Sequence, residues 1–331
     1  MLCFGRTKTV QHARLRYMTS LIKRASAEAR AFQRGERAAQ PSRGAARCTE
    51  RDEYVSAAQH GAAPMLKVPR KARFAPVTFS EEGGVRYLHF GTEWIQGAMR
   101  LKKPFDIELE YAQQMMAWLL FLAPPKRIVQ LGLGAAALTK FCHRHFLRSH
   151  VDAVELNPAV IIAARSMFEL PPDDRRLSVL QIDAWDFVND PANHGTVGAM
   201  QIDLYDATAR GPVLDSVAFY RACRACLGAA AVVTVNLFGD HPSFVRNLRH
   251  LRAAFDARVI ALPEVHEGNR VVLAFSGPAL SIDWNVLTDR AKVIEKACGL
   301  SARKWVAALR EVSDAPRRDA QDSAVGGHFM I

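Results

Sequence analysis

Arg127-Ile-Val-Gln-Leu-Gly132-Leu-Gly134-Ala-Ala-Ala137-Leu, followed by Val151-Asp-Ala-Val-Glu155-Leu-Asn-Pro158, decides the reading of the fold. Each stretch opens with a short strand-forming run and closes on residues that start a helix. Gly132 and Gly134 let the backbone come close to a ligand at the start of the following helix, the turn that a doubly wound nucleotide binder needs. Gly132-x-Gly134-x-x-Ala137 also satisfies the dinucleotide fingerprint, with Glu155 at the spacing of its ribose-binding acid. A tight strand-to-helix turn without a ligand is the plainer reading of the same glycines.

Outward from this point the chain alternates strand and helix. The pattern predicts strands at 127–131, 150–155, 178–182, 197–204 and 230–237, and helices at 135–146, 158–168, 184–188, 216–227 and 243–255. Buried strands that alternate with helices predict a doubly wound, mainly parallel α/β sheet, and close strands at 257–262 and 269–275 predict an antiparallel hairpin at its edge. Upstream, short runs at 76–80, 85–90 and 93–96, separated by Gly83-Gly84 and Gly91, predict a small antiparallel β-domain over 75–104. A helix over 107–122, stopped by Pro124-Pro125, opens a nucleoside-binding domain that runs to about 280. Residues 281–331 read as a helical extension with a polar tail.

The chain has 331 residues and a net charge of +11, from 44 Lys and Arg against 33 Asp and Glu. Sixteen of those cations and five of the acids lie in residues 1–74, so the remaining 257 residues carry 28 of each. A nucleic-acid footprint needs basic residues clustered on a folded face, and the balanced part offers none in its composition, so nucleic acid is not an expected partner. Residues 1–74, rich in Arg and Ala with few aromatics, read as a solvated tail, a basic targeting peptide, or sequence upstream of a true start at Met65. Met115 to Pro125, the longest apolar stretch, falls short of the roughly 20 residues that span a bilayer. Six unevenly spaced Cys form no disulfide framework, which with no apolar signal core predicts reduced thiols and a cytoplasmic protein.

Four acids fall at the ends of predicted strands, the ligand-binding edge of this sheet type. Glu155 can accept two ribose hydroxyls, or simply end its strand in solvent. Asp183, in Gln181-Ile-Asp-Ala-Trp, can accept the exocyclic amine of adenine, or cap the short helix that follows it. Asp203 and Asp206, in Gln201-Ile-Asp-Leu-Tyr-Asp-Ala-Thr-Ala-Arg-Gly-Pro, form a negative pair suited to a cationic amine, one of them able to take a proton from it, or two turn-forming residues. Cys223-x-x-Cys226 and Cys142-His143-Arg-His145 have ligand-like spacing but fall in predicted helices, where buried thiols and surface imidazoles are the plainer reading.

Over roughly residues 84–277 this set resembles the spermidine synthase family, the polyamine aminopropyltransferases. The resemblance runs through Trp94-Ile-Gln96, the helix with Gln113, the Gly loop, Val-Glu155-Leu-Asn-Pro, Asp183-Ala, Asp203-x-x-Asp206, Phe219-Tyr220 and Leu227-Gly228. It implies a class I methyltransferase-like fold that binds decarboxylated S-adenosylmethionine, with Glu155 on the ribose, Asp183 on the adenine, Gln113 on the nucleoside, and Gly132 and Gly134 in the cofactor loop. Asp203 would be the base that frees the attacking amine, while Asp206 and Gln96 would hold a small-molecule amine such as putrescine; no metal is required. Homodimers or homotetramers are usual in the family.

Departures from the family pattern are as informative. The acid of its Gly-Gly-Gly-Asp-Gly-Gly loop is read here at Gly134, its Tyr before the helix Gln at Ala112, and its late Tyr-x-x-Gly segment as Pro263-Glu-Val-His-Glu-Gly268. An uncharged loop suits the carboxylate of full S-adenosylmethionine, so a methyltransferase is the alternative, followed by a noncatalytic nucleoside-binding protein. A nicotinamide dehydrogenase would leave Asp183 and the Asp203/Asp206 pair unexplained.

Overall fold

The computed structural model describes residues 74–205, 213–239, 241–314 and 329–330. The chain divides into two units at Arg73/Phe74, and everything below concerns the second. Asp206 and the readings placed on residues 1–73 lie outside the described residues.

Three antiparallel strands come first, β1 (Val77–Glu82), β2 (Val85–Phe90) and β3 (Gly97–Arg100). The third lies four residues later than the sequence pattern predicts. Trp94 and Ile95 fall in the bend ahead of it, where the Trp94 carbonyl meets His89 Nδ1 at 3.0 Å and the Gln96 amide donates to the Leu88 carbonyl at 2.8 Å. Gly97 then opens β3 because an added Cβ would stand 2.7 Å from the Ala135 methyl, so only glycine lets this sheet lie against the Gly loop.

The predicted helix over 107–122 divides into a short α1 (Glu110–Gln114) and a 3-10 turn over Met115–Leu120. All six residues of the turn are buried. A segment apolar on every side has no solvent face to keep in α-helical phase, and the tighter winding carries it under the sheet to Pro124-Pro125.

The main sheet follows in the doubly wound order that the sequence predicts. Strands β4 (Arg127–Leu131), β5 (His150–Val154), β6 (Leu177–Leu180), β7 (Val197–Ile202), β8 (Leu227–Phe238), β9 (Val259–Ala261) and β10 (Asn269–Ser276) lie in the order β6-β5-β4-β7-β8-β10-β9. The first five in that order run parallel, and β10 is antiparallel to both β8 and β9, the predicted edge hairpin. The order reverses direction at β4, the first strand of the doubly wound sheet, and such switch points are where these sheets bind ligands. Helices α2 (Ala137–His145), α3 (Pro158–Met167), α4 (Ala184–Asn189), α5 (Val217–Cys226) and α6 (Ser243–Ala254) connect them, and α7 (Trp284–Cys298) and α8 (Ala302–Asp314) end the described helices. β8 begins at Leu227, directly after α5, rather than at 230, and the register of β7 against it shifts between Val197 and Ala199 to absorb the join.

Alternating residues send the core to both faces. Ile128, Ala199, Val232 and Leu273 pack against the 3-10 turn, α2 and α8. Val129, Met200, Val233 and Ala274 pack against α4, α5 and α6. Cys223 and Cys226 belong to the second cluster, where burial raises both thiols, Cys226 to about 11, so neither supplies a thiolate.

Candidate active site

The turn after β4 is built by close backbone approach. Gly132 has φ 90°, donates its amide to the Val154 carbonyl at 2.8 Å, and lies so near the Asp203 carbonyl that any Cβ would overlap it. Asp203 in turn donates its amide to the Leu131 carbonyl at 2.9 Å, so β4, β5 and β7 are locked together at their carboxyl ends. Gly134 has φ 51° and Ala136 φ 56°, which brings α2 in with its first amides uncapped by any side chain.

Glu155 ties two turns to this edge. Its Oε1 accepts the Asn157 amide at 2.8 Å and its Oε2 accepts the Leu133 amide at 3.0 Å. Burial raises its pKa, while backbone amides at Asn157, Leu133 and Leu156 act against that and stabilise the charged form. Asp183 stands at the end of β6 and caps α4, accepting the Trp185 amide at 2.8 Å on Oδ1. The capping reading of Asp183 is therefore realised, and it occupies one oxygen only. Gln113 donates Nε2 to the Ile107 carbonyl at 2.9 Å, which fixes the start of α1.

A cavity opens between the small sheet, α1 and the Gly loop, lined by Gln96, Tyr111, Ala112, Gln130, Gly134 and Asp203 among others. Of the residues singled out from sequence, Gln96, Gly134 and Asp203 meet there; Glu155 reaches it through the amide of Leu133, another lining residue; Gln113 and Asp183 do not line it. Counted from Gly132, the acidic fourth position of the family loop falls on Ala135 rather than Gly134. Both residues line the cavity, and neither brings charge.

Asp203 is the acid in this cavity. Its Oδ1 accepts from Asn236 Nδ2 at 2.9 Å, and its Oδ2 is approached by the Tyr111 hydroxyl at 3.4 Å. Burial raises its pKa to about 6, against the two hydrogen bonds, which favour the carboxylate. Burial first, and the nearby Asp203 charge second, push the Tyr111 phenol well up, so it stays a neutral donor. Reading Ala112 as a lost hydroxyl overlooks its neighbour, because Tyr111 delivers one to the same cavity from one position earlier. Asn236 was missed as well; its signal is a single amide ending the apolar run Val232-Val-Thr-Val.

No family model matches the sequence. Among curated proteins, the polyamine aminopropyltransferase of Chromobacterium violaceum is 32% identical over 255 residues, which are 77% of this chain and 94% of that protein. The polyamine aminopropyltransferase of Neisseria meningitidis serogroup B is 31% identical over 243 residues, 73% and 92% of the two chains. The eEF1A lysine and N-terminal methyltransferase of Mus musculus is 26% identical over 195 residues, 28% of its own length. A solved structure of a probable spermidine synthase from Corynebacterium glutamicum superposes with a TM-score of 0.55 at 16% identity, covering 78% of this chain and 97% of that one. Human methyltransferase-like protein 13, solved with SAH, gives a TM-score of 0.50 at 21% identity, covering 66% and 98%. A loop of Gly132 and Gly134, a strand-end Glu155 and a half-buried Asp203, carried on a sequence alignable over most of its length with the two aminopropyltransferases, make this chain a transferase belonging to the polyamine aminopropyltransferase family.

Proposed function

We propose that the protein transfers an aminopropyl group from decarboxylated S-adenosylmethionine to a small diamine such as putrescine. The observation that carries this reading is Asp203: a carboxylate on the cavity wall, with two hydrogen bonds and a pKa of about 6. A group titrating there is largely ionised at neutral pH and basic enough to take a proton from an ammonium it holds. The neutral amine attacks the methylene beside the sulfonium; the carbon–nitrogen bond forms as the carbon–sulfur bond breaks, the electron pair stays on sulfur, the product leaves as a secondary ammonium, and Asp203 returns the proton it took to solvent. Glu155 is the ribose acceptor, Asp183 offers Oδ2 to the adenine amine, and Gln96 and Asp206 hold the acceptor.

Beyond the cavity wall, near Tyr111, Glu267 is the acid proposed to meet the second ammonium of a diamine. Its Oε1 accepts the Glu110 amide at 2.8 Å, and its Oε2 is buried with no hydrogen-bond partner among the described residues. Burying a carboxylate oxygen unpaired is costly, and an ammonium at the far end of the acceptor would offset that cost.

One observation favours a second reading, methyl transfer from S-adenosylmethionine: the cavity wall at Gly134 and Ala135 has no acid to repel that donor's carboxylate. Calorimetry with the two donors, then mass analysis of the product, separates them. Tighter binding of the decarboxylated donor and a product heavier by an aminopropyl group support the first reading. Preference for the full donor with a product heavier by a methyl group sinks it.

A further inference from the structure

Asn236 and Asn269 are both almost fully buried, at 2% and 8% exposure, and neither was picked out as a site residue. Asn236 lies near the carboxyl end of β8 and pairs across the ladder with Val271 of β10; Asn269 is two residues from Val271, so the two amides are diagonal neighbours on one face. Asn269 Nδ2 donates to Asn236 Oδ1 at 2.9 Å, and Asn236 Nδ2 donates to Asp203 Oδ1 at 2.9 Å. An ionised carboxylate only accepts, so Asn236 must turn its nitrogen toward Asp203 and its oxygen away. That leaves an acceptor which needs a donor behind it, and Asn269 is that donor. The backbone is fixed at both ends: the Tyr205 hydroxyl donates to the Asn236 carbonyl at 3.1 Å, and the Val265 amide donates to the Asn269 carbonyl at 2.9 Å.

We infer that Asn269 and Asn236 form a one-way hydrogen-bond relay that positions the Asp203 carboxylate for the acceptor amine and links it to the turn bearing Glu267. Held by Oδ1, the carboxylate keeps Oδ2 for Tyr111 and the cavity. The titratable groups around Asp203 are Tyr111 from α1, Tyr205 after β7 and, beyond Tyr111, Glu267 before β10. Burial raises both phenols, so they are neutral, and among the described residues the charge on Asp203 is supported by hydrogen bonds alone. A donor that bonds the ionised form more strongly than the protonated one lowers the pKa of its partner, so the relay opposes the burial that raises it.

The inference rests on the reading of Asp203 as the base, and the test keeps the two apart. The full chain, labelled with 13C at the Asp carboxyls, is titrated by NMR, with Asp203 assigned by its loss in Asp203→Asn. Wild type, Asn236→Ala, Asn269→Ala and the double variant are compared, with Asn236→Ser in place of Asn236→Ala if thermal unfolding shows that variant misfolded. The Asp203 midpoint should rise by about one unit in Asn236→Ala and by less in Asn269→Ala, with the double variant matching Asn236→Ala, since Asn269 acts only through Asn236. An unmoved midpoint in either single variant, or additive shifts in the double, overturns the relay. Rates with decarboxylated S-adenosylmethionine and putrescine, measured on the same variants, should show the acid limb rising with the midpoint, with the loss concentrated in kcat and recovered at high pH. Full turnover in Asp203→Asn, beside the expected NMR shifts, would overturn the base and leave the relay standing.

Discussion

Burial disfavours the charged form of Asp203, and a base needs that form. With its pKa raised from 3.8 to about 6 by burial, turnover should climb through pH 6 and level off above it, which a profile of kcat/KM against pH measures directly. Stability should run the other way. Below pH 4 both folded and unfolded chains hold the proton; between 4 and 6 the unfolded chain releases it and the folded chain does not, so the folded state loses stability as pH rises and stays lower above 6. The loss is on the order of 2 kcal/mol once the partial exposure of the carboxylate is discounted. Asp203→Asn keeps an oxygen for the Asn236 amide and carries no charge. It should therefore cut kcat by about a hundredfold or more while raising the melting temperature at pH 8 and leaving it nearly unchanged at pH 4. A variant that is inactive and less stable at pH 8 would show that Asp203 holds the fold rather than poises a proton. Glu267→Gln, by contrast, should raise KM for putrescine several-fold with little change in kcat; an unchanged KM would remove Glu267 from the acceptor site.

Backbone conformation at the element joints separates what the sequence discloses from what it hides. The order of strands and helices from Arg127 onward was legible because a parallel sheet buried on both faces must be written in short apolar runs, and each run here ends in Gly, Asn-Pro or Asp. The site acids were legible for the same reason, since they stand where those runs stop. Tyr111, Asn236 and Asn269 were not, because their partners are 92, 33 and 33 residues away in sequence and each reads locally as an ordinary helix or strand residue. The 3-10 turn was hidden too: a wholly apolar segment such as Met115–Leu120 has no period from which to read its winding. Two joints give opposite expectations for one methyl group. At Gly132 an added Cβ meets the Asp203 backbone carbonyl, which no side-chain rotation can relieve, so Gly132→Ala should cost roughly 3 kcal/mol or more and disturb the base through its own backbone. At Ala257, exposed with φ 59° in the turn after α6, the methyl is strained and packs against nothing needed, so Ala257→Gly should stabilise the protein by about 0.5–1 kcal/mol. Urea unfolding of both variants checks the pair, and a loss of stability in Ala257→Gly would contradict the strain assigned there.

The charge of the whole chain and the charge of its second unit are different quantities. All of the net +11 is accounted for by residues 1–74, while the remainder balances 28 cations against 28 acids and gathers Glu155, Asp183 and Asp203 at the carboxyl edge of one sheet. In the proposed reaction a positively charged donor and a positively charged acceptor would both approach that edge, and a unit without net charge repels neither. The chain divides at Arg73/Phe74, and the cavity with Asp203 belongs to the second unit, so on the proposed reading the transfer chemistry needs that unit alone. A chain of residues 74–331 should then keep the melting temperature and the kcat/KM of the full chain within about twofold. The same truncation should abolish salt-sensitive retention on a heparin column, because affinity for a polyanion scales with the number of cations that meet it. If instead the truncated chain lost activity at unchanged folding, the basic segment would belong to the active site and the balance of 28 against 28 would no longer describe the enzyme.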